Sequence, residues 1–292
     1  MSAPMMITHL LLERLSRAVL PRTPESQAIM QDPAQVHAFM DSGRSDGVLN
    51  YIYLFHAAMS LPLIRPGDVV LDLACGPANQ LIHLASLHPG ANFIGLDASD
   101  TMLAQAAGNL AAAGVSNVQL QRGDISRLEH FAAASVDCVL CTMSLHHLPD
   151  TQQLLQTMQQ LRRVLQPEGG IYLADFGRLK RRATQHFFAH DRIELQSPQF
   201  TADFLNSMQA AFSLDELQQA TAALRPGLDC YQTSLAPFMV LFRSAARQRI
   251  DTALAQRLSQ RYRQLSAMEQ RDFDNLLRWF RLGGLSLPCA LD

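Results

Sequence analysis

Between Gly67 and Asp175 the chain alternates short apolar runs with stretches of helical periodicity, and this alternation restricts the fold more than any other feature. Almost wholly apolar runs indicate strands buried on both faces, because a strand with one wet face would alternate apolar and polar residues. A helix after each such strand is typical of parallel strands joined by crossover connections. The pattern therefore predicts an α/β fold with a mostly parallel sheet and helices on both of its faces.

Five runs in this region are predicted to be strands of that sheet, and two later runs are predicted to complete it. Boundary signals separate them: Ser99 is predicted to cap a helix, and Pro167–Gly170 to form the turn before the fifth strand. In chain order the predicted strands are Val69–Ala74, Ala91–Asp97, Val118–Asp124, Val136–Met143, Ile171–Asp175, Asp229–Thr233 and Phe238–Arg243.

The predicted strands divide the chain into one sheet domain with helical additions. Residues 66–243 form the sheet domain, with a helical insertion at residues 178–225. Residues 1–65 are predicted to be a helical lid, and residues 244–292 a C-terminal helical extension with an amphipathic helix over Ser244–Trp279. A length of 292 residues would fit two average domains, but because the strands form one continuous pattern we expect a single sheet domain enlarged by its additions.

Composition excludes several classes of protein. Hydrophobic residues make up 48% and charged residues 17% of the chain, which argues against disorder over most of its length. A net charge of −2 without a long basic block argues against nucleic acid as a partner. No apolar run reaches the roughly 18 to 20 residues of a membrane span, and Met1–Leu20 is predicted to be an amphipathic helix and not a secretory signal. We therefore expect a cytoplasmic protein.

Acidic residues stand where three successive predicted strands end. Asp72 begins the turn Asp72-Leu-Ala-Cys-Gly-Pro-Ala-Asn79, and Asp97 and Asp124 end the second and third strands. In an open parallel sheet ligands bind at this edge, where small residues let the backbone approach and the next helix offers free N–H groups. A carboxylate such as Asp97 can accept both hydroxyls of a ribose. Each acid could instead only cap a helix, but three together favour a nucleotide-type site.

The turn after the first strand distinguishes between two nucleotide cofactors. NAD sites use G-x-G-x-x-G, whereas here Gly76 is the one glycine of the turn and Pro77 lacks an N–H. The carboxylate of Asp72 would repel a pyrophosphate and attract the ammonium of an amino acid. A ligand with an adenosine end and a cationic amino-acid end is S-adenosylmethionine.

At these residues the chain resembles the class I S-adenosylmethionine-dependent methyltransferases, in particular their small-molecule branch. The resemblance covers about residues 65–243 and implies a Rossmann-like fold, seven strands, a helical cap and S-adenosylmethionine as cofactor. Ala74 and Ala78 stand where the family most often has glycine, a change that we expect to be mild. The segments that carry the resemblance are Val69-Val-Leu-Asp-Leu-Ala-Cys-Gly-Pro77, Ile94-Gly-Leu-Asp-Ala-Ser-Asp-Thr-Met102, Gly123-Asp-Ile125, Ser144-Leu-His-His-Leu148 and Leu161-Arg-Arg-Val-Leu-Gln-Pro-Glu-Gly-Gly170.

The resemblance also implies which residues bind the cofactor. Asp72 and Gly76 would contact the methionine part, and Asp97 the ribose. Residues after the second and third strands would contact the adenine, with Asp124 on its amine. The set implied is Asp72, Ala74, Gly76, Asn79, Asp97, Ala98, Met102, Asp124, Ile125 and Cys141.

The chemistry is predicted to take place beside the fourth and fifth strands. His146 and His147 follow the fourth strand, beside the expected position of the methyl group, and either could be the base because imidazole titrates near neutral pH. Both could equally be structural. Asp175, at the end of the fifth strand, is a second candidate near the acceptor.

The segment before the sheet is predicted to cover the site. Tyr51 and Tyr53 could hold a sulfonium or an amine by cation–π attraction, or could be core residues. Arg44 could pair with the cofactor carboxylate. No metal site is predicted: His186 and His190 stand four apart, but no third ligand is evident.

In-line methyl transfer to a small-molecule acceptor is the predicted reaction. An alternative is cyclisation or aminobutyl-type transfer that releases methylthioadenosine, because the sulfonium activates three carbons and the same residues would bind it. A third hypothesis is a non-catalytic protein that keeps the fold to support a second subunit. The presence of Asp72, Asp97 and Asp124 argues against it. The expected partner is a small molecule, with neither nucleic acid nor membrane, and a homodimer through Ile250, Leu254 and Leu258 stays open.

Overall fold

The computed structural model describes residues 3–25, 29, 36, 49–191 and 193–291. Its strands are β1 Val69–Leu73, β2 Asn92–Asp97, β3 Val118–Arg122, β4 Val136–Thr142, β5 Leu165–Phe176, β6 Asp229–Gln232 and β7 Met239–Arg243. The helices are α1 Ala3–Leu15, α2 Asn50–Ser60, α3 Asn79–Leu87, α4 Asp100–Ala112, α5 Thr151–Val164, α6 Arg182–Ala189, α7 Pro198–Ala210, α8 Leu214–Leu224, α9 Thr252–Gln264 and α10 Ala267–Arg281.

The seven described strands form one sheet in the order β3-β2-β1-β4-β5-β7-β6. Strands β1 to β5 pair in parallel, whereas β7 runs antiparallel to both β5 and β6. The strand order reverses between β1 and β4, and in such sheets a ligand site forms at the carboxyl ends of the strands beside this reversal. The predicted α/β fold, with a mostly parallel Rossmann-like sheet, is confirmed.

Two layers of helices bury the two faces of the sheet. One face packs on α2, α3, α4, α9 and α10, through residues such as Leu54, Leu84 and Phe273. The other packs on α5 and α8, through residues such as Met158 and Leu217. Full burial of each large apolar side chain contributes about 1.5–3 kcal/mol, so these two layers supply most of the driving force for folding.

Strand β5 begins earlier than the sequence indicates. Residues Pro167–Gly170, predicted as a turn, lie inside the strand as a bulge, because Val136 pairs with Leu165 but Cys138 pairs with Gly170. Glycine is required at the second of these contacts: a Cβ on Gly170 would lie 2.8 Å from the carbonyl oxygen of Leu63.

The C-terminal extension consists of two helices where one long helix was predicted. The break falls at Ser266, which caps α10 in a capping box with Glu269. Leu254 and Leu258, the apolar positions considered for a dimer, are buried in the chain's own core. This stripe is therefore an internal packing surface.

A third apolar cluster lies over the carboxyl edge of the sheet. It joins Leu10 of α1, Ala189 of α6 and Met208 of α7 to Phe176 at the end of β5. These helices form a cap, and the space between the cap and the sheet edge contains the candidate site.

Candidate active site

The turn between β1 and α3 has an unusual backbone. Ala74, Gly76 and Ala78 adopt φ of 53°, 52° and 65°, in the left-handed region that glycine occupies most readily. For the two alanines this conformation costs roughly 1–2 kcal/mol each, so the surrounding contacts must hold it in place. One such contact comes from Asp97, whose Oδ2 accepts the Gly76 N–H at 2.9 Å. The turn is thus fixed against the end of the neighbouring strand.

Asp72 is a buried carboxyl group at the centre of this edge. It is 3% exposed, and burial together with the charge of Asp97 raises its pKa to about 8. Without a positive partner the group is therefore mostly protonated at neutral pH. A cationic ligand group beside it would favour its ionised form.

The residues predicted for the adenosine end lie on the same edge but outside the main cavity. Asp97 is 8% exposed, and its Oδ1 accepts the Ser99 N–H at 2.8 Å. Asp124 is exposed, and its Oδ1 accepts both the N–H and the hydroxyl of Ser126 at 2.8 Å. Ala98 and Ile125 are half-buried, and Met102 and Cys141 are buried. Cys141 packs on the face of the sheet that α5 covers. The roles predicted for these residues stay predictions.

A cavity of about 360 Å³ lies between the sheet edge and the cap. Asp72, Ala74, Gly76 and Asn79 line one end of it, together with Tyr51 and Tyr53. Arg44, the remaining residue predicted for the lid, lies outside the described residues. Apolar side chains line the rest. They come from α1, α6 and α7 of the cap, from α10, from the end of β5 and from the residue before β7: Met6, Leu10, Phe176, Phe188, Phe200, Phe204, Phe238 and Trp279. This size and apolar character are typical of small-molecule sites.

His146 and Asp175 form a buried pair at the wall of this cavity. The ring Nδ1 of His146 lies 2.6 Å from Oδ1 of Asp175, and its backbone N–H donates to Oδ2 at 2.9 Å. Burial alone lowers the pKa of His146, but the charge and hydrogen bond of Asp175 outweigh it and raise the pKa above its ordinary value. Within the described lining, His146 contacts the cavity and Asp175 does not, so Asp175 contacts the cavity through His146. Its predicted place near the acceptor stays a prediction.

His147 has a carboxylate partner that the sequence did not reveal. Residues 16–25, here called the strap, follow α1, and Glu25 at its end lies 2.5 Å from Nδ1 of His147. Ser207 of α7 donates to the other oxygen of Glu25 at 2.8 Å. Burial raises the pKa of Glu25, but hydrogen bonds from His147 and Ser207 and the nearby imidazoles hold it below its ordinary value. The contact spans 122 residues of sequence, so no local pattern could have indicated it.

Arg22 fixes the strap to the turn that carries both histidines. Its guanidinium donates to the carbonyl oxygens of His146 at 2.8 Å and Ala210 at 2.6 Å, and also to those of Leu148 and Pro149. It also stacks on Phe212, with its central carbon 3.9 Å from the ring centre. The position of Glu25 therefore depends on the anchoring of Arg22.

Three described side chains lie close enough together to hold a metal ion. Within the described ranges, ligand atoms of Glu25, His146 and His147 lie within 4.8 Å of one another. The pair considered from sequence, His186 and His190, is exposed, with Nδ1 of His190 bonded to the His186 carbonyl at 2.8 Å. As for membranes, no helix in the described part of the chain is long and apolar enough to cross one.

Comparison with known proteins identifies the class of this chain. Residues 64–221, more than half of it, match the model of a methyltransferase domain family. A demethylmenaquinone methyltransferase of Lactobacillus johnsonii is 34% identical over 110 residues, which cover 37% of this chain and 43% of that enzyme. A trans-aconitate 2-methyltransferase of Deinococcus radiodurans is 37% identical over 91 residues, which cover 31% and 32%. The chain thus spans less than half the length of these curated relatives.

A solved structure shares the fold over most of the chain. The plantazolicin methyltransferase, crystallised with S-adenosylhomocysteine and a desmethyl plantazolicin analogue, gives a TM-score of 0.57 at 16% identity, covering 90% of this chain and 95% of that one. Because residues 64–221 match its model, the chain belongs to the methyltransferase domain family.

Proposed function

We propose that this enzyme transfers a methyl group to a small-molecule acceptor bound in the cavity between the sheet edge and the cap. The observation that carries the proposal is the cavity itself, about 360 Å³ with mainly apolar walls and the His146–Asp175 pair at one side. The curated relatives named as demethylmenaquinone and trans-aconitate methyltransferases add support, since both names specify small molecules. We also infer a cytoplasmic location, and a homodimer stays a prediction that size-exclusion chromatography would test.

The described residues fit the cofactor. When bound, S-adenosylmethionine supplies an electrophilic methyl group on a sulfonium. Asp72 would take the ammonium of its methionine part, because a buried carboxyl with a raised pKa is stabilised by a cation. Gly76 lets the backbone of the turn approach the ligand, and Asp97 would take the ribose hydroxyls.

His146 is the residue that we propose to accept the acceptor's proton. Because Nδ1 donates to Asp175, the proton resides on Nδ1 and Nε2 is the free basic atom. Asp175 holds the ring in this orientation and stabilises the imidazolium that forms. His147, oriented by Glu25, would shape the same end of the cavity and contact the acceptor.

The test is to identify the nucleoside product. The purified enzyme is incubated with S-adenosylmethionine, alone and with a panel of apolar aromatic phenols, amines, thiols and carboxylic acids. We expect no turnover without an acceptor, and S-adenosylhomocysteine with one of them. His146→Gln should lower that rate roughly 10²-fold or more, while the exposed His186→Gln should leave it unchanged. Methylthioadenosine formed from S-adenosylmethionine alone would contradict methyl transfer and support the cyclising alternative.

A further inference from the structure

His56 of α2 presents an unpartnered ring nitrogen to the cavity. The side chain is 0% exposed and lines the cavity, and its Nδ1 lies 2.8 Å from the hydroxyl of Tyr172. Its Nε2 has no hydrogen-bond partner within the described residues. Buried polar atoms in folded proteins are almost always paired, so an unpaired one at a cavity wall indicates a ligand atom.

The contact with Tyr172 determines which nitrogen carries the proton. Tyr172 is fully buried, and burial raises its pKa far above the ordinary value, so its hydroxyl keeps its proton and must donate it. The described partner for that proton is Nδ1 of His56. Burial also lowers the pKa of His56 to about 3, so the ring is neutral and its single proton lies on Nε2. His56 is therefore a neutral hydrogen-bond donor toward the cavity.

Gln80 of α3 presents a second donor to the same cavity. It is 6% exposed, and its Oε1 accepts the hydroxyl of Thr142 at 2.8 Å. That bond turns the amide nitrogen away from Thr142, and Nε2 also lacks a partner among the described residues. Two neutral buried donors with unused hydrogen bonds thus line one cavity with Asp72.

The sheet register places these groups on one face. Asp72 of β1 pairs with Leu140 of β4, which pairs with Tyr172 of β5, so these three side chains point to the same face of the sheet. That face is the one covered by α2, which carries His56, and by α3, which carries Gln80. Two strand spacings, about 10 Å, separate Asp72 from Tyr172. The described lining of the cavity contains no arginine or lysine. A ligand for this face therefore needs a cationic group for Asp72 and a hydrogen-bond acceptor for the two neutral donors.

We propose that Nε2–H of His56 and the side-chain amide of Gln80 hold the α-carboxylate of S-adenosylmethionine while Asp72 holds its ammonium. An α-amino acid carries an ammonium and a carboxylate on one carbon. These two groups match a site in which the Asp72 carboxylate and two neutral donors line the same cavity. The inference rests on the cofactor and on the same site as the proposed function, but not on the identity of the acceptor. Neither His56 nor Gln80 belongs to the sequence segments that resemble the family. Gln80 directly follows the turn that ends at Asn79, whereas His56 precedes the first strand.

The experiment compares two ligands that differ in the amino-acid end. S-Adenosylhomocysteine has the amino acid, whereas 5′-methylthioadenosine keeps the adenosine and the sulfur without it. Isothermal titration calorimetry of the full chain gives both dissociation constants. Their ratio measures how much the amino-acid group contributes to affinity. His56→Phe and Gln80→Leu should each weaken S-adenosylhomocysteine roughly tenfold or more and leave 5′-methylthioadenosine unchanged, since each removes a bond to a charged group.

Two further variants serve as controls. His88→Phe removes another buried histidine with an unpartnered Nε2, one outside the cavity, and should leave the ratio unchanged. His56→Phe combined with Tyr172→Phe removes both partners of the buried hydrogen bond, and serves where His56→Phe alone does not fold.

Three results would overturn the inference. The first is a ratio of dissociation constants that is unchanged in both His56→Phe and Gln80→Leu. The second is an equal loss of affinity for S-adenosylhomocysteine and 5′-methylthioadenosine in these variants. The third is an Arg44→Gln variant that loses the preference for S-adenosylhomocysteine while His56→Phe and Gln80→Leu keep it. Failure of the proposed function is separate, because binding needs no acceptor: the wild-type chain would bind S-adenosylhomocysteine but methylate nothing.

Discussion

The protonation of Asp72 predicts how cofactor binding depends on pH. In the free enzyme its pKa is about 8, raised by burial and by Asp97. The bound ammonium favours the ionised carboxylate, so the pKa falls in the complex and binding releases a proton. Affinity should therefore rise as the pH rises toward 8 and fall as the pH falls below it. A carboxylate with an ordinary acidic pKa would instead be ionised throughout this range and give no change in affinity.

The size of the effect follows from the same value. A carboxyl group with a pKa of about 8 is ionised to roughly 1% at pH 6 and to roughly half at pH 8. The affinity for S-adenosylhomocysteine should accordingly increase roughly 50-fold between these two pH values, or about 2.3 kcal/mol. The slope approaches a factor of about ten per pH unit at the acid end.

Calorimetry can measure both the affinity and the proton. Titrations at pH 6, 7 and 8 give the affinity, and repeating them in buffers of different ionisation enthalpy gives the number of protons released. Asp72→Asn is the control, since it cannot ionise: binding should be weak and independent of pH over this interval. A wild-type affinity that stays flat or falls from pH 6 to pH 8, with no proton released, would refute the account of Asp72.

Two more predictions concern the turn that carries the histidines. Asp175→Asn should lower the pKa of His146 below that in the wild type, because the carboxylate is what raises it; NMR titration of the ring measures this, and an unmoved pKa would contradict the pairing. Arg22→Ala should reduce the free energy of unfolding by about 2 kcal/mol, because charged hydrogen bonds to backbone carbonyls are lost. Urea denaturation measures this free energy. The control Arg17→Ala, at an exposed position, should leave it unchanged. An equal loss of stability in both variants would contradict the anchoring role of Arg22.

Local sequence patterns predicted most of the sheet. Strands β1, β2 and β4 are short and mostly apolar, and each is followed by a helix, with Ser99 as the cap after β2, so these strands and their carboxyl ends are encoded within a few residues. For the same reason the turn from Asp72 to Asn79, most of which lines the cavity, could be located from sequence. Strand β3 instead leads to β4 with no α-helix between them, although a helix after each strand was predicted. The start of β5 was wrong because the glycines at its beginning signal a turn, whereas contact with Leu63 makes them a bulge.

The end of the cavity that carries His146 and His147 could be predicted only in part. His146 and His147 follow a strand directly, so their place at the edge was foreseeable. Their carboxylate partners were not: Asp175 and Glu25 come from 29 and 122 residues away. His56 is similar, since its proton position depends on Tyr172, 116 residues later in the chain. Protonation states and partner choice at a site are tertiary properties, and one-dimensional periodicity carries no information about them.

The walls of the cavity have a consequence for how acceptor choice is encoded. Met6, Leu10 and Trp279 line the cavity but lie outside residues 64–221, the part that matches the methyltransferase domain family. Segments outside the matched domain therefore form part of the cavity wall, together with residues inside it such as Phe176 and Phe200. Substitutions in α1 or α10 can reshape the pocket without altering the turn at Gly76. Enzymes with nearly the same central domain can in this way diverge in substrate, and exchanging terminal segments between them is a direct route to new specificities.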